Sequence, residues 1–160
     1  QVLHSQQVPA AFFCIGKNVE SYPDIYQRII DEGHSVGNHT HNHLNGWKAA
    51  NIEYYKNIRI ASKHIQSRLF RPPYGRITYA QTIAIHRLFP QMKIVMWDVL
   101  SGDFDIDLSP DDCLQNVKRT TKAGSIIVFH DSEKAWHRLR YTLPLFLEFC
   151  VENGWKMKRL

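Results

Sequence analysis

Gly33-His34-Ser35-Val36-Gly37-Asn38-His39-Thr40-His41-Asn42-His43 is the stretch from which the fold is read. Residues 35–37 form a short run, too brief for a helix and bounded by turn-forming residues, which predicts a buried parallel strand. Three histidines follow at once. A strand that delivers titratable side chains to the loop beyond its C-terminal end is the arrangement of α/β folds, where chemistry gathers at that end.

The same alternation extends outward. Residues 10–15, 69–71, 94–97, 125–129 and 155–157 are further short apolar runs and read as strands. Helix signals separate them. Tyr22-Pro23 opens a helix and Gly33 closes it. Residues 51–68 place Ile52, Tyr55, Ile58, Ile65 and Leu69 on one helical face. Thr78 caps a helix running towards Pro90. Ser109-Pro110-Asp111-Asp112 combines a capping hydroxyl, a proline in the first turn and carboxylates at the positive dipole end, with Gly124 as terminator. A last helix spans 133–153, ends at Gly154 and is broken or kinked at Pro144. Strand-helix alternation calls for a parallel sheet or barrel. The chain opens in a helix tail, Val2-Leu3-His4-Ser5-Gln6, ahead of any strand. Residues 1–160 read as a single domain without repeat or linker.

Composition narrows the function. Hydrophobic residues make up 44% and aromatics 12%, which argues against disorder. No apolar run approaches the ~18 residues of a membrane span. Lys and Arg number 20 against 15 Asp and Glu. Their one short cluster is Lys156, Lys158 and Arg159, so no nucleic-acid partner is expected. Three widely spaced cysteines, Cys14, Cys113 and Cys150, exclude a disulfide framework and a cysteine zinc site.

Four strand ends carry the candidate chemistry. His39 and His43 are four residues apart, so on a helical turn their rings share a face and can grip one cation. Two imidazoles leave such a site short of a third ligand, expected to be a carboxylate. In Arg71-Pro72-Pro73-Tyr74-Gly75 two prolines remove two N–H donors, which makes the Tyr74 amide the first available one. That amide suits a developing oxyanion. The other reading is a tight turn with Arg71 in a structural ion pair. His130 ends a strand where a general acid can stand, and where a structural histidine also can. Asp98, Asp103 and Asp131 compete to orient its ring.

Taken together these residues resemble the polysaccharide deacetylases, the carbohydrate esterase family of sugar de-N-acetylases, over nearly the whole chain. Val8-Pro9-Ala10-Ala11-Phe12-Phe13-Cys14-Ile15-Gly16-Lys17-Asn18 is similar to the family's second-strand signature. Residues 39–43 contain its His-Thr-x-x-His motif, and residues 71–75 are its Arg-Pro-Pro-Tyr motif. Ile127-Val128-Phe129-His130 matches its Leu-x-x-His, with Ile for Leu. Where the family has Asp-x-x-Asp-Trp, this chain reads Leu100-Ser101-Gly102-Asp103-Phe104.

The resemblance implies an α/β fold, a distorted (β/α) barrel of the polysaccharide deacetylase type that begins at its second strand. It implies His39 and His43 as ligands of a divalent ion, zinc first, with cobalt or nickel as substitutes. The catalytic set is His130 as general acid, Asp103 as its partner, and Arg71, which in the family pairs with the catalytic Asp. Tyr74, Pro73 and Phe104 fall to substrate binding. The family's first motif, Thr-Phe-Asp-Asp-Gly, supplies a general base and a third metal ligand; it does not occur in these residues and is expected upstream of Gln1. The implied activity is metal-assisted hydrolysis of N-acetyl or O-acetyl groups on a polysaccharide such as peptidoglycan or a chitin-like glycan. The complete protein is expected to be active and the 160-residue chain alone to be weak or inactive. The alternatives are a non-catalytic carbohydrate-binding relative and a hydrolase of small cyclic amides or ureides.

Overall fold

The computed structural model describes residues 2–160. In chain order the elements are α1 (Val2–Ser5), β1 (Ala11–Cys14), α2 (Gly16–Ser21), α3 (Pro23–Asp31), β2 (Ser35–Asn38), α4 (Asn51–His64) and β3 (Leu69–Phe70). A 3-10 turn at Pro73–Gly75 follows, then α5 (Tyr79–Leu88), β4 (Lys93–Ile94), β5 (Val99–Leu100), α6 (Pro110–Thr120), β6 (Ile127–Val128) and α7 (Glu133–Glu152). They form two compact units, one of Pro9–Met96 with Lys158–Leu160, the other of residues 2–8 with Trp97–Met157.

The first unit holds a parallel sheet in the order β1-β2-β3-β4. Its register aligns Cys14 with Asn38, Asn38 with Phe70, and Phe70 with Ile94. The chain therefore leaves all four strands at one edge. There the amides of His39, Arg71 and Val95 each donate to the last carbonyl of the neighbouring strand, at 3.0, 3.0 and 2.8 Å. Under the sheet Tyr54, Ile58, Phe70, Ile85 and Met92 form one buried cluster, and Val19, Ala61 and Ile65 another. Gly16 lets α2 lie directly on α4: a Cβ there would stand 2.9 Å from the Cα of Ala61.

The second unit pairs β5 with β6 in parallel, Val99 opposite Ile127. Its core is Val99, Leu114, Val117, Phe146 and Cys150. The caps read from the sequence, Thr78 and Ser109, are present: Thr78 forms a reciprocal capping box with Gln81, and Ser109 accepts from the Asp112 amide. Ser132, which the sequence reading does not name, accepts from the Ala135 amide.

Several expectations are corrected. The strand expected over 94–97 is two residues long, because the chain leaves the sheet after Ile94 and enters a new strand, β5, in the other unit. Asp98 anchors that second start, accepting from Ser125 Oγ at 2.8 Å and the Ile126 amide at 2.6 Å. Residues 155–157 are not a strand. The Trp155 amide donates to the Cys150 carbonyl at 2.9 Å, closing α7 beyond a left-handed Gly154, and the Trp155 and Met157 side chains pack onto the second core. α7 runs unbroken through Pro144, held by buried Arg138 and Thr142 before it and Phe146, Leu147 and Cys150 after it. α4 ends at His64, and its buried face is Tyr54, Asn57, Ile58 and Ala61. Ile52, two positions from Tyr54 and so across the helix, is 66% exposed. α2 is an element the sequence does not announce: no side chain caps its start, where Ile15 holds the N-cap position.

Candidate active site

The loop after β2 is built by three polar residues in place of helix hydrogen bonds. Asn38, fully buried, accepts from the Thr40 amide at 2.9 Å and donates to the Ile58 carbonyl at 3.0 Å. Asn57, from the buried face of α4, accepts from the His41 and Asn42 amides at 2.7 and 2.9 Å. The Thr40 hydroxyl accepts from the Leu44 amide at 3.0 Å. Thr40 and His43 are driven into the left-handed region at φ 62 and 55. The helical turn expected here is thus a pinned loop, yet it brings the same rings together: His39 and His43 lie with centroids 5.0 Å apart.

The loop after β3 lies beside this one in the same unit. His39 Nδ1 lies 2.6 Å from the Arg71 carbonyl. A carbonyl only accepts, so Nδ1 carries the proton and Nε2 keeps the lone pair that a metal needs. Arg71 is buried, with Nε donating to the Val95 carbonyl at 3.1 Å and Nη2 to that of Met96 at 3.3 Å. Its guanidinium sits 4.0 Å over the Phe13 ring, and burial pulls its pKa down to about 10. Pro73 is buried. Tyr74 adopts φ 59, a left-handed conformation for a non-glycine residue, with its ring edge-on to His43 at 4.6 Å. The Gly75 and Arg76 amides turn back onto the Pro72 and Pro73 carbonyls at 3.0 Å each; the Tyr74 amide is outside those two bonds.

In the second unit, the structure sets Asp103 beside His130. Asp103 is completely buried; its Oδ1 is 2.7 Å from His130 Nδ1 and its Oδ2 accepts from the His130 amide at 2.6 Å. The rival Asp98 is committed to Ser125 and Ile126, which hold its carboxyl below the ordinary carboxylate range. Phe104 meets the His130 ring edge-on at 5.2 Å and is partly exposed. Sequence reasoning missed Arg138, a buried cation whose Nε donates to the Asp103 carbonyl at 2.6 Å. It missed Asn57 as well. In both cases the available signal was a polar residue interrupting the apolar face of a helix.

The family model for polysaccharide deacetylases matches residues 1–88. The chain belongs to the polysaccharide deacetylase family. A peptidoglycan-N-acetylglucosamine deacetylase of Bacillus cereus is 37% identical over 138 residues, covering 81% of this chain and 48% of that protein. Chitin deacetylase 2 of Saccharomyces cerevisiae is 36% identical over 135 residues, covering 77% and 43%. The chain thus spans about half the length of these curated relatives. Among solved structures, a peptidoglycan N-acetylglucosamine deacetylase in complex with a naphthalenyl N-oxidanyl-benzamide superimposes with TM-score 0.90 at 29% identity, covering 99% of this chain and 76% of that one. The fold class is accordingly that of the polysaccharide deacetylases, the α/β distorted barrel expected from the sequence. At the family level these proteins are carbohydrate-active hydrolases that remove acetyl groups.

The divalent ion that the family implies fits the residues present. His39 and His43 converge, and the Arg71 carbonyl fixes the His39 tautomer as a ligating imidazole requires. No helix is long and apolar enough to cross a membrane.

Proposed function

We propose that this chain forms the catalytic part of a metal-dependent deacetylase that hydrolyses the acetamide of an N-acetylated amino-sugar polymer, peptidoglycan or a chitin-like glycan, breaking a carbon–nitrogen bond outside a peptide. The observation that carries the proposal is the His39–His43 pair, with centroids 5.0 Å apart and the Nδ1 of His39 held by the Arg71 carbonyl. His39 and His43 hold the ion, with zinc the best match to two imidazoles and cobalt or nickel as substitutes. When bound, such an ion polarises an acyl oxygen and lowers the pKa of water.

The chain's own groups supply further parts, the general base of the family's first motif not being among these residues. The Tyr74 amide, left-handed and outside the turn bonds, donates to the oxygen on which charge develops. His130 is the proton donor to the departing amine, while Asp103 holds Nδ1 and so directs Nε2. Arg71 is the positioning cation at the end of β3; its carbonyl orients His39 and its buried side chain orders the edge of the sheet. Pro73 stiffens the Tyr74 turn, and the exposed rings of Tyr74 and Phe104 offer apolar faces to a sugar. Acid assistance of this kind contributes about 10²–10⁴-fold.

The test is acetate release from N-acetylglucosamine oligomers and from peptidoglycan fragments, using zinc-loaded protein that carries this chain. The expected result is release that falls to background in His39→Ala. Activity and zinc content both unchanged in that variant would overturn the reading; binding of the oligomers without acetate release would replace it with a carbohydrate-binding role.

A further inference from the structure

His41 lies between His39 and His43 in sequence, yet its ring has other neighbours. Its Nε2 is 3.8 Å from the Glu20 carboxylate on α2, and its ring stacks on that of His64, the last residue of α4, at 5.8 Å and 27°. Glu20, His41 and His64 each offer one ligand atom, and the three atoms lie within 4.8 Å of one another. Among the described residues this is the grouping of three such donors, and the deacetylase chemistry above uses none of them.

The ring of His41 is held without being satisfied. Its Nδ1 is buried with no hydrogen-bond partner among the described residues. Its Nε2 faces Glu20 at a distance beyond the ~3.2 Å limit of a good hydrogen bond. The side chain is 16% exposed, and Nδ1 is the ring nitrogen shut away from solvent. The fold provides for this placement at Gly16, where a Cβ would stand 2.8 Å from His41 Nδ1. The same glycine seats α2 on Ala61, one turn before His64 on α4, and Glu20 follows one turn after Gly16 on α2. Asn57 pins the His41 backbone. Three separate elements thus bring a carboxylate and two imidazoles to one point on a fixed frame.

We propose that Glu20, His41 and His64 form a second divalent-metal site, separate from the His39–His43 pair. Two imidazoles and one carboxylate select a borderline ion such as zinc over magnesium or calcium, and three protein ligands leave a position for water. Ligand atoms about 2.1 Å from a tetrahedral zinc are about 3.4 Å apart, so the three side chains draw in on binding, and Glu20, 58% exposed, has room to turn. A bound ion joins α2 and α4 to the loop that carries His39 and His43, and acts as a structural clamp on that loop.

Zinc stoichiometry, by equilibrium dialysis and elemental analysis, tests this with no reference to turnover. In the His39→Ala/His43→Ala double variant one equivalent of zinc is expected, accompanied by a zinc-dependent rise in the thermal midpoint. Adding His64→Gln or Glu20→Gln to that background is expected to weaken binding at least tenfold and abolish the rise. The proposal is overturned if the double variant binds no zinc, or if binding there survives both substitutions. Should the double variant not fold, the unaltered chain and its single His64→Gln variant decide the question: a loss of one equivalent supports the site, and equal stoichiometry overturns it. Failure here leaves the His39–His43 reading untouched, since that reading is tested by His39→Ala.

Discussion

Asp103 grips His130 twice: one carboxylate oxygen lies 2.7 Å from the ring Nδ1 and the other accepts from the backbone amide of the same residue at 2.6 Å. The carboxylate is fully buried and the residue's own carbonyl accepts from Arg138. Ring tautomer, ring orientation and strand end are thereby fixed together, which is what a proton donor of defined direction requires.

If this grip serves proton delivery, Asp103→Asn and His130→Ala each lower kcat/KM for acetate release by about 10²–10⁴. The two effects are not additive, because both remove one unit of function. Steady-state kinetics on the single and double variants check this. Additive losses in the double variant would show that the two residues act separately.

Arg71 acts within its own unit through its carbonyl as well as its side chain. Replacing it with Ala keeps the carbonyl that fixes His39 but removes the guanidinium bonds to Val95 and Met96. Losing these two part-buried hydrogen bonds from a charged donor costs about 1–3 kcal/mol. Arg71→Ala is therefore expected to lower the thermal midpoint while retaining zinc at His39 and His43. Metal analysis beside calorimetry checks it, and loss of zinc at full stability would contradict the division of roles.

How much of this is legible in the sequence depends on how local the cause is. The Thr78–Gln81 box and the Ser109 cap are sequence-local hydrogen bonds, and both helix starts can be read directly. The closeness of His39 and His43 is also legible, but from a helical spacing that mistakes its origin. Their loop is shaped by Asn38 and Asn57, and Asn57 comes from a helix whose facing is fixed only by tertiary packing. The same limit explains Ile52, apolar and exposed, against Asn57, polar and buried. Strands of two residues, such as β3 to β6, are decided by their neighbours across the sheet, so residues 95–97 look no different from those that pair. Spacing does not rank Asp103 above Asp98; the motif resemblance does, and its physical reason, that Ser125 and Ile126 already hold Asp98, is tertiary.

Gly16 sits where a single added atom has nowhere to go. A Cβ would meet the Ala61 backbone at 2.9 Å and the His41 ring at 2.8 Å. The ring can shift but the helix backbone cannot without moving α2, so Gly16→Ala is expected to destabilise by about 1–3 kcal/mol. Urea unfolding checks it. An unchanged midpoint would mean that α2 is not seated on α4 as described.

Tyr54 makes the core sensitive to alkaline pH. It is fully buried, its hydroxyl has no hydrogen-bond partner among the described residues, and burial raises its pKa above the ordinary 10.0. The native ring therefore stays protonated at a pH where the unfolded chain has lost that proton. A raised native pKa means stability that is complete below about pH 10 and declines as pH climbs towards the native value, by up to about 1.4 kcal/mol per pH unit. Tyr54→Phe removes both the unsatisfied hydroxyl and the titration. At about pH 8 the variant is expected to match or exceed the parent by about 1 kcal/mol. Between about pH 10 and about pH 11.5 its urea midpoint is expected to fall less steeply than the parent's. Parallel decline of the two midpoints would show that the Tyr54 hydroxyl is not the alkaline-sensitive group of this core.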